Sequence, residues 1–518
     1  MELNLFLQFF LASALLLILG LSLKLYHVLV VKPQYLRSAL QKQGIHGPSP
    51  VFLLGNILEI RRARISATRT AAATTRPVTH NCGAAIHPIF EKWRREYGEE
   101  FMFSLGNIQV VNVNQYELVR EISRCTSMDL GKPSYQAKDL HSLLGDGILT
   151  SNGEFWAHQR KILAPELFMD KVKRMISLIQ QSTLALVQSW KDLIEAKDGI
   201  AHIKIDDDLR KFSGDVISRA CFGSSYSEGE ELFQKLRALQ EVSSKKGSSL
   251  GVPGLRHIPT KNNRKAWRLD KEIRELIEKL VKQKHGAKSD RNLLQMLLER
   301  IKSSDLSADG VERLIVDNCK NIYLAGYETT AAAATWCLIL LASNQEWQDR
   351  VRDEVLEICK GQLPDFNSIR KMKQLTMVIN ESLRLYPPVP VLSREALRDM
   401  KFGSINIPEG IIIWILVTAL HTDPEIWGSD SYEFNPNRFA NGIMGACKLP
   451  HMYIPFGAGP RTCLGLNLAM AELKLLISLI LSNFSFTLSP KYVHSPTVRL
   501  VIEPEHGAVL LMEKLKKP

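Results

Sequence analysis

The stretch FGAGPRTCLG, Phe456 to Gly465, sets one cysteine among three glycines, a proline and an arginine. Gly457, Gly459 and Gly465 permit tight backbone turns, and Pro460 stiffens the loop between them. The segment LNLAMAELKLLISLILSNF follows at once, with apolar residues at helical spacing. A helix there turns its unpaired N–H groups and the positive end of its dipole toward the loop. A thiol in that place is expected to have a lowered pKa and a stabilised thiolate. Arg461 adds a cation able to pair with an anionic cofactor group. Most cysteines are small buried hydrophobes, but the spacing Phe-x-x-Gly-x-Arg-x-Cys-x-Gly is specific enough to make Cys463 a candidate metal ligand.

The rest of the chain reads as one large, mainly α-helical domain with a small β portion. It has 518 residues, 45% hydrophobic and 8% aromatic, room for one large domain or two to three ordinary ones. Eight cysteines without a Cys-x-x-Cys pair suggest neither a zinc site nor a disulfide framework, and reduced thiols fit a cytosolic exposure. Helical periodicity dominates from Glu91 to about Pro390, over Met169–Ala196, Arg264–Gln283, Ala308–Ala342 and Gln345–Cys359 among others. Strand signals cluster late. They lie in GIIIWILVTAL (Gly410 to Leu420) and in the tail, where FSFTLSP and TVRLVIEPEHGAVLLMEKL read as hairpins. The net charge of +12 is not gathered into basic clusters interleaved with aromatics, so no nucleic-acid partner is expected. A basic surface facing anionic lipid or an acidic protein is the better reading. Arg61 to Phe90 holds five arginines and no acidic residue; rich in Ala and Thr, it is expected as a loosely ordered surface loop.

At the amino terminus, Leu5 to Leu23 is nearly apolar and close to the ~20 residues that cross a bilayer as a helix. Lys24, Lys32, Arg37 and Lys42 follow it, which keeps the body on the cytosolic side. A cleaved signal segment would carry its positive charge before the apolar run and a small-residue cleavage site after it. The organisation expected is an anchor over residues 1–31, a basic and Pro/Gly-rich hinge over 32–56, and the globular body over 57–518.

Three further motifs lie in the body. ESLR places Glu381 and Arg384 on one helix face, in the apolar setting MVINESLRLYPPVP, where a buried pair would need additional partners. LAGYETT, Leu324 to Thr330, sets Gly326 inside a long apolar helix. Glycine there costs about 1 kcal/mol, so something is expected to approach the backbone closely. Glu328 and Thr329 put an acid beside a hydroxyl; alone they read as an exposed glutamate and a back-bonding threonine. WAHQR sets Trp156 and Arg160 one turn apart, which alone carries little.

Taken in order from Trp156 to Cys463, these motifs resemble those of the cytochrome P-450 monooxygenases. The resemblance implies that family's fold behind a transmembrane helix, with Cys463 as axial ligand of haem b, donating electron density that favours O–O cleavage. It implies that Trp156, Arg160, Arg461 and Arg394 (in SREA) bond the haem propionates and that Phe456 belongs to the cofactor loop. Ala325 and Gly326 would form an oxygen groove, with Glu328 and Thr329 relaying protons. Glu381, Arg384 and Arg438 (in FNPNRF) would form a structural triad, Asn437 standing where a glutamate is common. The segments around Gly145–Lys173 and SFTLSPKYVHSP look most like family 714 of the plant microsomal 72 clan, known members of which oxidise gibberellins and related diterpenoid acids. Arg61–Phe90 departs from that family's usual sequence.

The implied substrate is an apolar polycyclic acid in a mostly hydrophobic pocket, lined from residues 135–148, Asn321 to Ala325 and Val389 to Leu392. Electrons would come from NADPH through NADPH–cytochrome P-450 reductase, docked on a cationic face including Lys161, Lys171, Lys173 and Lys448. The implied location is the endoplasmic reticulum membrane, crossed once. The alternatives are a haem-thiolate isomerase or dehydratase, a class that tends to lose the acid–alcohol pair kept here, or an oxidase of another terpenoid or hormone. GSSLG, Gly247 to Gly251, formally matches a hydrolase nucleophile elbow, but it lacks the preceding strand and following helix such an elbow needs.

Overall fold

The computed structural model describes residues 2–72, 80–223, 226–245, 251–284 and 308–515. Helix α1 (Glu2–Tyr26) turns its apolar side chains outward, with Phe9 and Leu17 74% and 73% exposed. The helix is long and apolar enough to cross a membrane, and its apolar surface is left uncovered. It continues through a π-turn at His27–Val31 into α2 (Lys32–Gln41). Pro33 cannot donate to the turn before it and its ring crowds the carbonyl four residues back, and the wide π-turn accommodates both. The first ten residues of the segment expected as a hinge, Lys32–Gln41, are therefore helical. Leu36 and Leu40 are already buried in a core cluster with Met102 and Val111.

The Arg61–Phe90 stretch corrects the expected loop. Helix α3 (Ile57–Ala72) runs through its first part, and short helices at Cys82–Ile86 and Pro88–Tyr97 close it, residues 73–79 lying outside the described set. Alanine and arginine are good helix formers, so the stretch lacks apolar periodicity but not helical propensity.

The body is built from α4 (Gly153–Leu163), α5 (Met169–Glu195), α6 (Ile205–Phe222), α7 (Tyr226–Lys245), α8 (Lys261–Lys284), α9 (Ala308–Ser343), α10 (Gln345–Cys359), α11 (Lys373–Leu385) and α12 (Leu466–Leu481). Helix α9 has 36 residues and so spans about 54 Å. Its stretch AAAATWCLILLA contains no charge and is buried all round, which a helix crossing the middle of a large core requires. Helices α6 and α12 pack on it, and α5 packs on α6 and α12.

A five-stranded sheet covers one end, in the spatial order Glu100–Leu105, Ile108–Val113, Ile412–Leu416, Val391–Ala396, Leu130–Gly131. The second and third strands run parallel, Val111 opposite Ile413, and the other pairs are antiparallel. The first hairpin comes earlier in the chain than the strand signals suggested. Its strands, EFMFSL and IQVVNV, are buried on both faces and so lack the alternation that marks a half-exposed strand. The tail also differs from simple hairpins. Val509–Lys514 pairs with Phe484–Leu488 on one side and with Ile200–Lys204, from mid-chain, on the other; only Pro496–Val498 and Ile502–Pro504 form a local hairpin.

One buried ion cluster ties helix to loop. Arg384 donates to both carboxylate oxygens of Glu381, at 2.7 and 2.8 Å, and both side chains are wholly buried. Arg438 reaches the same carboxylate at 3.4 Å and holds Asp430 at 2.6 Å and the Trp427 carbonyl at 2.8 Å. The Asn435 amide donates to Glu381 as well, at 2.9 Å. Removing one partner strands a buried charge, at about 3–5 kcal/mol. Glu381→Gln should lower stability by that amount, measured as a reduced urea midpoint of the detergent-solubilised protein; an unchanged midpoint would show the cluster to be dispensable.

Candidate active site

In the loop 456–465 the Cys463 amide donates to the Phe456 carbonyl at 2.9 Å, closing the turn. Gly459 has φ +70°, and a Cβ there would lie 1.9 Å from the Ser123 carbonyl oxygen, so no larger residue fits. Helix α12 then starts at Leu466 with Gly465 as its cap. The Cys463 sulfur is crowded by protein but not covered by it. Burial pushes its thiol above the ordinary value; the Gly465 amide, the Arg160 cation and the Leu466 amide pull it back without cancelling that rise. The helix end acts in the direction expected, but desolvation outweighs it and reverses the expected lowering. A metal bound to the sulfur would supply the missing charge and expel the proton.

Trp156 and Arg160 on α4, Arg394 on the strand Val391–Ala396, and Arg461 in the loop converge beside this cysteine. The Arg461 guanidinium lies over the Trp156 ring at 4.2 Å and that of Arg160 at 5.7 Å. Arg461 donates to the Ser151 carbonyl at 3.1 Å and to Asn152 Oδ1 at 2.9 Å, Arg160 to the Thr462 carbonyl at 2.9 Å, and Arg394 to the Ser393 carbonyl at 2.9 Å. Lys132 joins them. No motif announced it, because only the fold carries the segment LGKPS here, with the Asn152 amide holding the Lys132 backbone through both of its hydrogen bonds. Burial, then Arg394 and Arg461, push the Lys132 ammonium down to about 7. Arg394 is lowered to about 10 by burial, and Arg461 to about 10 by burial and then its two neighbouring arginines. Among the described residues no carboxylate pairs with any of these four cations. Trp156, Arg394 and Arg461 line a cleft here. An exposed thiol beside four uncompensated cations fits a metal carried by an anionic ring system.

Helix α9 contributes an open stripe. Ile322, Ala325, Gly326 and Thr329 are uncovered while Tyr323, Leu324, Tyr327, Glu328 and Thr330 are buried, and steps of three and four place the uncovered set on one face. Thr329 Oγ1 donates to the Ala325 carbonyl at 2.7 Å. The close approach expected at Gly326 is made by α6: a Cβ would lie 2.6 Å from Ile217, and Ser213 Oγ donates to the Gly326 carbonyl at 2.8 Å. Asn321, expected in the pocket lining, instead spends its amide on loop 144–149. It accepts from the Leu149 amide at 2.9 Å and donates to the Leu144 carbonyl at 2.6 Å. Val389, Val391 and Leu392 are uncovered, as a lining requires.

Glu328 lies about 100° around the helix from Thr329, and is buried rather than exposed. Its carboxylate meets Arg237 of α7 at 3.1 Å and Arg210 of α6 at 3.8 Å. Both arginines also hold Glu503, at 3.3 and 2.7 Å, which Arg499 joins at 2.7 Å. Burial raises the Glu328 carboxyl and the arginines only partly offset it; at Glu503 the arginines outweigh burial and the pKa falls. The two carboxyls of this one network are thus shifted in opposite directions, Glu328 upward by burial and Glu503 downward by its arginines. Of the hydrolase-like GSSLG, Gly247–Leu250 lie outside the described residues, and Gly251 packs against the Leu105 carbonyl.

Comparison with known proteins gives the family. The Cytochrome P450 family matches residues 77–511. Cytochrome P450 714C2 of Oryza sativa subsp. japonica is 50% identical over 496 residues, covering 95% of each chain. Cytochrome P450 714B3 of Zea mays is 48% identical, covering 96% of this chain and 94% of its own. Cytochrome P450 714A2 of Arabidopsis thaliana is 40% identical, covering 94% and 95%. The chain thus belongs to the cytochrome P450 family and is a monooxygenase akin to its 714 group.

Proposed function

We propose that this chain is a membrane-anchored oxygenase of an apolar polycyclic acid, a gibberellin or related diterpenoid, with haem b held by Cys463 and electrons drawn from NADPH through a reductase. The observation that carries the cofactor reading is the group of four cations without a carboxylate beside an exposed thiol. Bound there, haem supplies the iron at which dioxygen is reduced and one oxygen atom is passed to the substrate. Arg160, Arg394, Arg461 and Lys132 would hold its propionates with charge-assisted bonds, with Trp156 stacked under Arg461. The Phe456 carbonyl fixes the Cys463 backbone. Ala325 keeps the α9 face low enough for dioxygen, while Gly326 lets α6 pack closely beside it. Thr329 gives its own proton to the Ala325 carbonyl, which leaves its oxygen free to accept from a water. Glu328, whose carboxyl is raised by burial, is the acid that feeds that water, and the arginines hold its carboxylate form without carrying protons themselves.

The uncovered residues Ile322, Ala325, Val389, Val391 and Leu392 are apolar, which suits a terpenoid skeleton; the gibberellin assignment rests on the resemblance to family 714. The basic flank after the anchor supports a cytosolic body on the endoplasmic reticulum membrane, crossed once. For the reductase face, Lys161 and Lys448 are exposed, whereas Lys171 pairs with Glu166 at 3.5 Å and Lys173 lies over the Phe366 ring.

Reduced membranes under carbon monoxide should show the red-shifted thiolate-haem Soret band, and Cys463→Ser should abolish it with folded protein retained; a band that survives the serine would exclude Cys463 as the ligand. Incubation with diterpenoid acids should give oxygenated product only with reductase, NADPH and O2, and product formed without them would favour the isomerase. Lys132→Met removes one charge-assisted bond of about 1.5–3 kcal/mol, so haem transfer to apomyoglobin should quicken about ten- to hundredfold. Glu328→Gln should cut turnover by about a hundredfold while leaving the substrate-induced spectral shift intact; unimpaired turnover would remove Glu328 from the proton path.

A further inference from the structure

Outside this site, four distant stretches bring five side chains together. Trp336 on α9 stacks on Tyr386, ring centroids 3.9 Å apart and planes 5° from parallel. The Tyr386 hydroxyl lies between His80 Nδ1 at 2.8 Å and His494 Nε2 at 3.1 Å. The other nitrogen of His494 meets the Tyr492 hydroxyl at 3.0 Å. Trp336 Nε1 donates to the Ile502 carbonyl at 2.9 Å, which pins the indole. Trp336 and Tyr386 are fully buried, while His80, His494 and Tyr492 are partly exposed, so the chain of contacts runs from the core outward.

Packing alone does not require this chemistry. A buried phenol is satisfied by one hydrogen-bond partner, and here two imidazoles from residues 80 and 494 converge on one oxygen. A phenol donates one hydrogen, so one imidazole accepts it while the other donates N–H. With Tyr492 donating, the chain runs Tyr492 to His494 to Tyr386 to His80; reversing every tautomer satisfies the same contacts. Burial lowers both imidazoles to about 4, so each keeps a free lone pair at neutral pH. Trp336 follows Thr329 by seven residues, about 10.5 Å along α9 and within about 20° of the same face. The stacked pair therefore begins two turns from the oxygen-handling stripe.

We propose that Trp336, Tyr386 and the two histidines form a proton-coupled electron donor that quenches oxidising equivalents escaping from the oxygen site, with Tyr492 as the surface outlet. The inference goes beyond substrate oxidation but rests on the oxygen-activating reading. An oxygen-derived one-electron oxidant takes an electron from Trp336, which takes one from Tyr386 across the stack. The phenolic O–H bond breaks as its proton passes to the accepting imidazole, leaving a neutral tyrosyl radical beside an imidazolium. With Tyr492 as donor the accepting imidazole is His80; Tyr492 gives an electron to the Tyr386 radical and its proton to His494 Nδ1, while His494 Nε2 passes its own proton to the Tyr386 oxygen. The His80 imidazolium releases its extra proton to solvent, and a reductant of the thiol or ascorbate class restores Tyr492 with one electron and one proton. Each oxidising equivalent consumes one electron of that reductant.

The test uses the full-length, haem-loaded protein without substrate, mixed with an aryl peracid and freeze-quenched for electron paramagnetic resonance. A tyrosyl signal that narrows on ring-deuterated tyrosine is expected, with couplings from exchangeable deuterons in 2H2O. Tyr386→Phe, which keeps the ring stack, should reduce the signal at least tenfold, and Tyr492→Phe should keep it with a severalfold longer lifetime. A wild-type signal in Tyr386→Phe overturns the proposal, as does the absence of any tyrosyl radical from the wild-type protein. If Tyr386→Phe does not fold, the wild-type deuteron couplings decide, since a radical without exchangeable hydrogen-bond partners is not Tyr386. The carbon monoxide band recorded on each sample separates the outcomes: a missing radical with the band present sinks only the donor chain, and a missing band in the wild type sinks both readings.

Discussion

All five N–H groups of Arg384 have acceptors: Glu381 twice, and the carbonyls of His421, Ser431 and Glu433. A buried guanidinium is tolerable only when its donors are saturated in this way, and the saturation dictates where two backbone segments, at His421 and at Ser431 to Glu433, must run. The tie then extends toward the cysteine loop. His421, pushed down to about 3 by burial and by Arg384, stays neutral, and its Nε2 accepts from the Ile454 amide at 2.9 Å. Tyr453 donates to the Asn380 carbonyl on α11 at 2.9 Å. From Ile454 it is two residues to Phe456, whose carbonyl holds the Cys463 amide. The position of the candidate ligand is thus inherited, hydrogen bond by hydrogen bond, from one arginine on a helix that never touches the sulfur.

Two kinds of buried charge coexist in this fold. Glu381, Glu328 and Glu503 each face more than one guanidinium, which outweighs burial at Glu503 and offsets it only in part at Glu328. Lys132, Arg160, Arg394 and Arg461 are offset only by carbonyl and amide oxygens and the Trp156 face, and all four have lowered pKa values led by burial. The first kind holds the chain together. The second is a cost that the chain alone leaves uncompensated, and the natural remedy is an anion supplied from outside. The raised thiol of Cys463 belongs with it, since cations nearby favour its charged form but cannot overcome desolvation without a metal.

Legibility in the sequence followed the range of the interactions involved. The cysteine loop, the Glu381–Arg384 spacing and the Trp156–Arg160 pair are local patterns, so the residues of each stand close together in the folded chain as they do in the sequence. The long helices, α9 above all, were readable because their periodicity or apolar run is continuous. Lys132 was not, because its place depends on Asn152 gripping it from 20 residues away. The partners of Glu328 could not be read either, since they come from α6, α7 and the strand Ile502–Pro504. Gly326 shows a subtler limit: the close approach was legible, but not that a helix makes it. The early hairpin escaped because strands buried on both faces lose the alternation that identifies them.

The strand Ile502–Pro504 joins these systems. Its Ile502 carbonyl holds the Trp336 indole, and the next residue, Glu503, holds the two arginines that grip Glu328. Adjacent residues in a strand point to opposite faces, so one short segment can serve a carbonyl contact and a carboxylate contact with different parts of α9. Glu328 and Trp336 lie eight residues apart on that helix, about 12 Å along its axis, and both are referenced to the same two strand residues. A shift of α7 that draws Arg237 away would loosen Glu328 and Glu503 together, whereas Trp336 stays pinned through the Ile502 backbone. Trp336 is therefore held through backbone, whereas Glu328 is held through side chains of α6 and α7.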